Sequence, residues 1–256
     1  MEVNFTAERF SLKQIFRLGW KYFKENAATI IPIYLLIYLP INWVLSLIPS
    51  NPEESIIASL RKQWHVSQTL EMLVGIIAVM ALMKIIEAAV NGRSIGIKEA
   101  ISAILPRWGA SIWTAICLRV ILMLGFLLFI IPGVFLYICF YFAIPAVALR
   151  KKSGGAALQY SRQLVRGQWC YVFVTMLVIG IANFVVAMSI GGLTMLLPDI
   201  QLLDIITDTI IDLTEAPFLT MAIILFLNLD YRAHPAAPPE TKDAPAPADT
   251  PMLGAQ

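Results

Sequence analysis

Along the chain, apolar residues fall in six long blocks, at about 27–48, 70–90, 111–131, 133–149, 170–196 and 207–229. None alternates, and each is longer than the roughly 10 residues that a barrel strand needs. At this length the blocks approach or exceed the ~20 residues that cross ~30 Å of hydrocarbon as a helix. Only a helix closes its backbone hydrogen bonds within one such segment. The pattern predicts an all-α fold, a polytopic membrane bundle of six transmembrane helices.

Three segments between the blocks carry a different period. In "SLKQIFRLGWKYFKEN", the helical spacing puts Leu12, Ile15, Phe16, Gly19, Trp20 and Phe23 on one face and Lys13, Arg17, Lys21 and Lys24 on the other. "IKEAISAILPRWGAS" from Ile97 and "GAALQYSRQLVRGQW" from Gly155 share the design. Cations on one face with Trp, Phe or Leu opposite describe a helix lying among lipid headgroups. Three cytoplasmic interfacial amphipathic helices are expected, the first over 11–25, each leading into a crossing, an outer turn and a second crossing. Residues 1–232 form the membrane domain. The Pro/Ala-rich tail 233–256 cannot bury a core and is expected to be disordered.

Lysine and arginine set the direction. Arg9 to Lys24 precede the first block. Lys84, Arg93, Lys98 and Arg107 follow the second, and Arg150, Lys151, Lys152, Arg162 and Arg166 follow the fourth. With Arg232 and Lys242 of the C-terminal region on the same side, only Arg61, Lys62 and Arg119 of the 19 cations stand elsewhere. Both termini are therefore expected in the cytoplasm, with the protein multi-pass in a bacterial inner membrane. The composition agrees: 59% hydrophobic and 14% charged, against about 45–50% and 25% in soluble domains. A net charge of +2 gives no reason to expect nucleic acid.

Within the blocks, "IIPGVFLYICFYFAIPAVALRKK" reads as one complete crossing. Pro132 and Gly133 make its outer turn, Pro145 kinks its inner end, and the three cations stop it; Pro217 marks the outer part of the last span. Arg119 lies inside the third block and is expected to face away from lipid. Glu215 and Glu87 are its two candidate partners. Asp204, Asp208, Asp212 and Glu215 share one helix face by their spacing. With Asn183, Arg119 and Glu215 either line a polar pathway or pin helix rotation, and the pin is the favoured reading.

Catalytic chemistry finds little to stand on. His65 and His234 are the only histidines, so no paired-histidine metal site can be built, and GxSxG, P-loop and dinucleotide motifs are absent. Cys117, Cys139 and Cys170 lack CxxC spacing and read as small buried side chains. Glu53 and Glu54 read as a solvated pair. No enzyme activity, cofactor or metal is expected.

From Ile131 to Trp169 the chain resembles the membrane-domain family named after bacterial glycerophosphoryl diester phosphodiesterases. The likeness rests on "IPG" opening a span, "FAIPAVAL" closing it, and Ala157, Leu158, Ser161, Leu164 and Gly167 in "AALQYSRQLVRGQW". The ending "APFLTMAIILFLNLDYR" is similar to that family's last span. Arg150, Lys151 and Lys152 stand where that family commonly has an acid. The resemblance implies six helices in an inner membrane, without the catalytic barrel that such domains sometimes accompany.

The expectation is a non-catalytic protein whose partners are membrane lipids, another membrane protein, or itself. Lys13, Arg17, Lys21, Lys24, Arg150, Lys151, Lys152, Arg162 and Arg166 are the candidates for anionic headgroups. The alternatives are a small transporter or channel for an ionic or amphipathic solute, and an anchor subunit of a separate phosphodiesterase.

Overall fold

The computed structural model describes residues 5–6, 8–48, 56–194 and 200–234. The expected tail, from residue 235 on, and Glu53 and Glu54 lie outside these residues. Among the described residues there is no strand. Six helical stretches, 12–46, 61–90, 97–128, 130–150, 169–194 and 201–233, are long and apolar enough to cross a membrane.

Helix α1 (Leu12–Ser46) starts at a capping box. The Gln14 amide N–H donates to the Ser11 hydroxyl at 3.4 Å, and the Ser11 amide donates back to the Gln14 side chain at 2.7 Å. These bonds satisfy N–H groups that a helix start would otherwise leave without partners. The basic segment expected to lie separately in the headgroup plane is instead continuous with the first crossing. Nothing between Asn26 and Ile31 stops a helix, so Lys13, Arg17, Lys21 and Lys24 form its first, exposed turns. The second basic segment is a separate helix, α4 (Ile97–Ile104), joined through a 3-10 turn (Leu105–Arg107) to α5 (Trp108–Leu128). The third is α8 (Gly154–Val165).

The last helix, α10 (Gln201–Ala233), runs antiparallel to α1 along nearly its full length. At one end Asn228 accepts from the Phe10 amide at 3.1 Å. At the other, Asn42 donates to Asp212 at 2.7 Å and to Thr209 at 3.2 Å, and Gln201 donates to the Ser46 carbonyl at 3.1 Å. Between them Gly19 brings the backbones together: a β-carbon there would lie 2.9 Å from the Met221 α-carbon. The fully buried Asn228 amide also donates to the carbonyls of Phe5 and Glu8, at 2.9 and 3.0 Å, tying the N-terminal segment under the bundle.

Helix α2 (Ile56–Leu70) passes through a π-helical turn, Glu71–Gly75, into α3 (Ile76–Val90). Helix α3 packs with α1 and α10, and Tyr34, Met80, Leu82, Ile86, Ile223 and Phe226 fill the shared core. By contrast, α5 and α9 (Trp169–Thr194) leave Trp113, Val120, Leu127, Ile181, Phe184 and Met188 exposed. That breadth of apolar surface suits contact with lipid tails rather than water.

The fourth crossing is two helices, α6 (Ile130–Phe140) and α7 (Ala143–Arg150). The turn expected at Pro132–Gly133 falls earlier, at Phe129, whose backbone is extended (φ −165°, ψ 158°). Pro132 occupies the first turn of α6, where its missing N–H costs nothing. Gly133 lies against the Phe126 ring, which a β-carbon would meet at 2.4 Å. At the other end, Pro145 cannot bond back to Tyr141, and the chain turns at Tyr141–Phe142. The buried Ser161 hydroxyl of α8 repairs this break: it donates to the Cys139 carbonyl at 2.8 Å and accepts from the Phe142 amide at 3.1 Å.

Gly19→Ala should lower the melting temperature of the purified protein in detergent, since overpacking a tight contact costs about 1–3 kcal/mol. Gly180→Ala, where a β-carbon meets nothing within 4 Å, should hold or raise it. Equal melting of the two variants would refute the close α1–α10 packing.

Candidate functional site

Three features gather the polar side chains of the described residues. The first ties the ends of α3, α7 and α10. Arg150 closes α7, where Lys151 takes a left-handed conformation (φ 58°) and ends the helix. The Arg150 guanidinium donates through Nε to Asp230 at 2.6 Å, and its Nη2 lies 2.5 Å from the same oxygen. Its Nη1 pairs with Glu87. Lys84 bonds the other Glu87 oxygen at 2.7 Å, and the Tyr160 hydroxyl donates to Asp230. The Glu87 and Asp230 side chains are only 10% and 3% exposed. Two cations therefore face two carboxylates. Burial first, and the Asp230 carboxylate second, push the Tyr160 phenol above its ordinary range, so it remains a donor.

Arg150 is thus turned into the protein instead of toward headgroups, because two buried carboxylates offer a site that solvent does not. Glu87 accordingly pairs with Arg150 and not with Arg119. Arg119 pairs with neither proposed acid. It is exposed on α5, against the expectation for a charge inside a span, and donates to the Gln68 carbonyl at 3.2 Å and side-chain oxygen at 3.3 Å. Its long stem lets the charged head reach those acceptors at the edge of the bundle.

The second feature is a cavity of about 840 Å³ between α6, α9 and α10. Its walls are mainly apolar and aromatic, with Glu215 and Asn183 as the polar groups together with Tyr137 and Tyr141. The structure therefore brings Glu215 and Asn183 to one site and leaves Arg119 out of it. A smaller cavity of about 300 Å³, holding Glu71, Asp208, Asp212, Ser67 and Asn42, lies toward the end of the bundle where α10 begins. Ser67 donates to Glu71 at 2.6 Å there. Among the described residues, no group of histidine, cysteine and acidic side chains could hold a metal ion.

The third is a hollow of about 610 Å³ where α8 meets α6 and the start of α9. Arg162 is exposed in the last turn of α8 and Arg166 is exposed just past its end, while Ser161, Leu164 and Val165 are buried. Gln159 and Gln163 add polar groups, and Phe135 and Trp169 form a stacked wall with centroids 5.6 Å apart. Neither arginine has a salt-bridge partner among the described residues. Lys151 and Lys152 are exposed nearby in sequence, and Pro217 lies buried inside α10.

Sequence reasoning passed over Asp230, Tyr160 and Asn228. Asp230 was visible only as a span-ending acid, and its partners Arg150 and Tyr160 lie 80 and 70 residues away. Asn228, two residues earlier in an otherwise apolar run, was the available signal: a buried amide is expected to be fully bonded.

Residues 55–234, well over half the chain, match the family model described as "Domain of unknown function (DUF7847)". No curated protein and no solved structure matches the chain.

Arg150→Ala should destabilise the bundle by about 3–5 kcal/mol, the cost of leaving buried charge without its partner. Arg150→Lys should recover little of it, since lysine cannot span two carboxylates with a planar fork. The triple variant Arg150→Met, Glu87→Gln, Asp230→Asn should melt well above Arg150→Ala. Thermal unfolding in detergent checks the order.

Proposed function

We propose that this chain, which belongs to the DUF7847 family, is a non-catalytic integral membrane protein that binds anionic lipid at its basic end. The hollow holding Arg162 and Arg166 carries the reading. Guanidinium groups present a planar fork that matches phosphate oxygens. Here two of them have no salt-bridge partner among the described residues and stand beside a Trp–Phe wall, the side-chain pairing found where apolar tails meet headgroups. The exposed Lys13, Arg17, Lys21, Lys24, Lys151 and Lys152 extend the positive surface around that end.

The excess of lysine and arginine there supports a cytoplasmic placement of this end and of both termini, in a bacterial inner membrane. A second reading, carriage of an amphipathic solute, draws support from the meeting of Glu215 and Asn183 in one cavity. Saturable solute flux into liposomes containing the purified protein would favour it over simple binding.

Each cation near an anionic leaflet contributes about 1 kcal/mol. The double variant Arg162→Ala, Arg166→Ala should therefore bind anionic lipid about tenfold or more weakly, read by native mass spectrometry of the full chain from mild detergent. Arg119→Ala should leave binding unchanged. Retention of the same anionic lipid at the same occupancy by the double variant would remove the basis of the proposal.

A further inference from the structure

Glu215 presents a carboxylate near the middle of α10 (Gln201–Ala233), inside a stretch long and apolar enough to span a bilayer. Such a group is expensive in lipid and is ordinarily offset by a partner. Among the described residues Glu215 has no salt bridge, and no hydrogen bond to its side chain is seen. Arg119, the cation that sequence offered for it, is engaged with Gln68. The carboxylate opens instead onto the 840 Å³ cavity.

A second observation comes from α9. The Asn183 side-chain oxygen is inaccessible to solvent and has no hydrogen-bond partner. Buried acceptors are normally satisfied. Asn183 and Glu215 line the same cavity from α9 and α10. The Asn183 oxygen is closed off from the cavity space, so Glu215 is the charged group a ligand meets there, and a protonated amine supplies the positive charge its carboxylate wants.

The rest of the lining says what the amine is attached to. Val134, Ile138, Phe173, Met176, Phe218 and Leu219 are apolar, and the cavity volume falls in the range of about 300–1,000 Å³ typical of small-molecule sites. Leu177, Ile181 and Phe184 belong to the lining and are also 47%, 55% and 64% exposed. The cavity therefore opens on the flank of the bundle, where lipid tails would lie. Access from the side favours a molecule that already partitions into the bilayer.

We propose that the cavity between α6, α9 and α10 is a binding site for a cationic amphiphile, an alkyl amine whose ammonium group pairs with Glu215 while its chain lies on the aromatic and aliphatic wall. This site is separate from the arginine hollow and of opposite charge. It holds whether or not anionic lipid binds at Arg162 and Arg166.

The test uses the full chain in nanodiscs and a dodecylamine bearing a photoreactive diazirine at the end of its chain. Labelling should saturate and map by peptide mass spectrometry to α9 between Phe173 and Phe184 or to α6. Dodecylamine should compete, dodecyltrimethylammonium should compete at least several-fold less well because it has no N–H to donate to the Glu215 carboxylate, and dodecanol should not compete. Glu215→Gln should reduce specific labelling about tenfold or more. Glu215→Asp, which keeps the charge, should retain most of it and shows that the variants still fold. Labelling that does not saturate, competition by dodecanol equal to that by dodecylamine, or wild-type labelling of Glu215→Gln would each overturn the proposal.

Discussion

The arrangement of the bundle depends on how Arg150, Glu87 and Asp230 neutralise one another. A buried charge left alone is far costlier than a hydrophobic contact is favourable. Arg150 meets this constraint by bonding carboxylates from two other helices at once, which aligns the ends of α3, α7 and α10. The geometry is demanding because a guanidinium is planar, so displacing one helix along another would break bonds rather than stretch them. Tyr160 then occupies the remaining Asp230 oxygen from α8, and four elements meet at one set of charges. Apolar packing alone would not fix this register, since helix surfaces in lipid lose little on sliding.

That fixed end permits irregularity elsewhere. The fourth crossing breaks at Tyr141–Phe142, and a break leaves backbone groups without partners. Ser161 supplies both a donor and an acceptor at that point. Helix α8 must therefore sit against the break, and it is held there by the bond from Tyr160, one residue earlier, to Asp230. The same placement leaves Arg162, and Arg166 just past the end of α8, turned outward. The basic hollow is a consequence of how the broken helix is repaired.

Much of the fold was legible in the sequence because apolar length is a one-dimensional signal. The six stretches required no knowledge of partners. Boundaries were less visible: α1 absorbed the basic segment before it, since the sequence contains no stop between the two. The sites were less legible still. Arg150 read as a topological stop because it stands beside Lys151 and Lys152, and only the fold separates the arginine turned inward from the lysines turned out. Likewise Arg119 and Glu215 were candidate partners from their places within the spans, yet such placement ignores rotation about the helix axis. The sequence singles out Glu215 and Asn183 as polar groups within spans. That they share a cavity could not be read from spacing, because they lie on different helices.

The proposed sites of opposite sign lie on two faces of α6. Phe135 and Cys139 line the arginine hollow, whereas Val134, Tyr137, Ile138 and Tyr141 line the cavity of Glu215. The wall between them continues in α9, where Trp169 faces the hollow, Phe173 faces the cavity, and their rings stack at 5.1 Å. Aromatic rings exclude water along this boundary while tolerating small shifts of the helices. A weakly screened interior would otherwise let Arg162 or Arg166 serve as the counter-charge for Glu215, closing both sites at once. The outward placement of Arg162 and Arg166 holds them on the far side of that wall from Glu215. The separation of the sites thus follows from the same broken helix that positions α8.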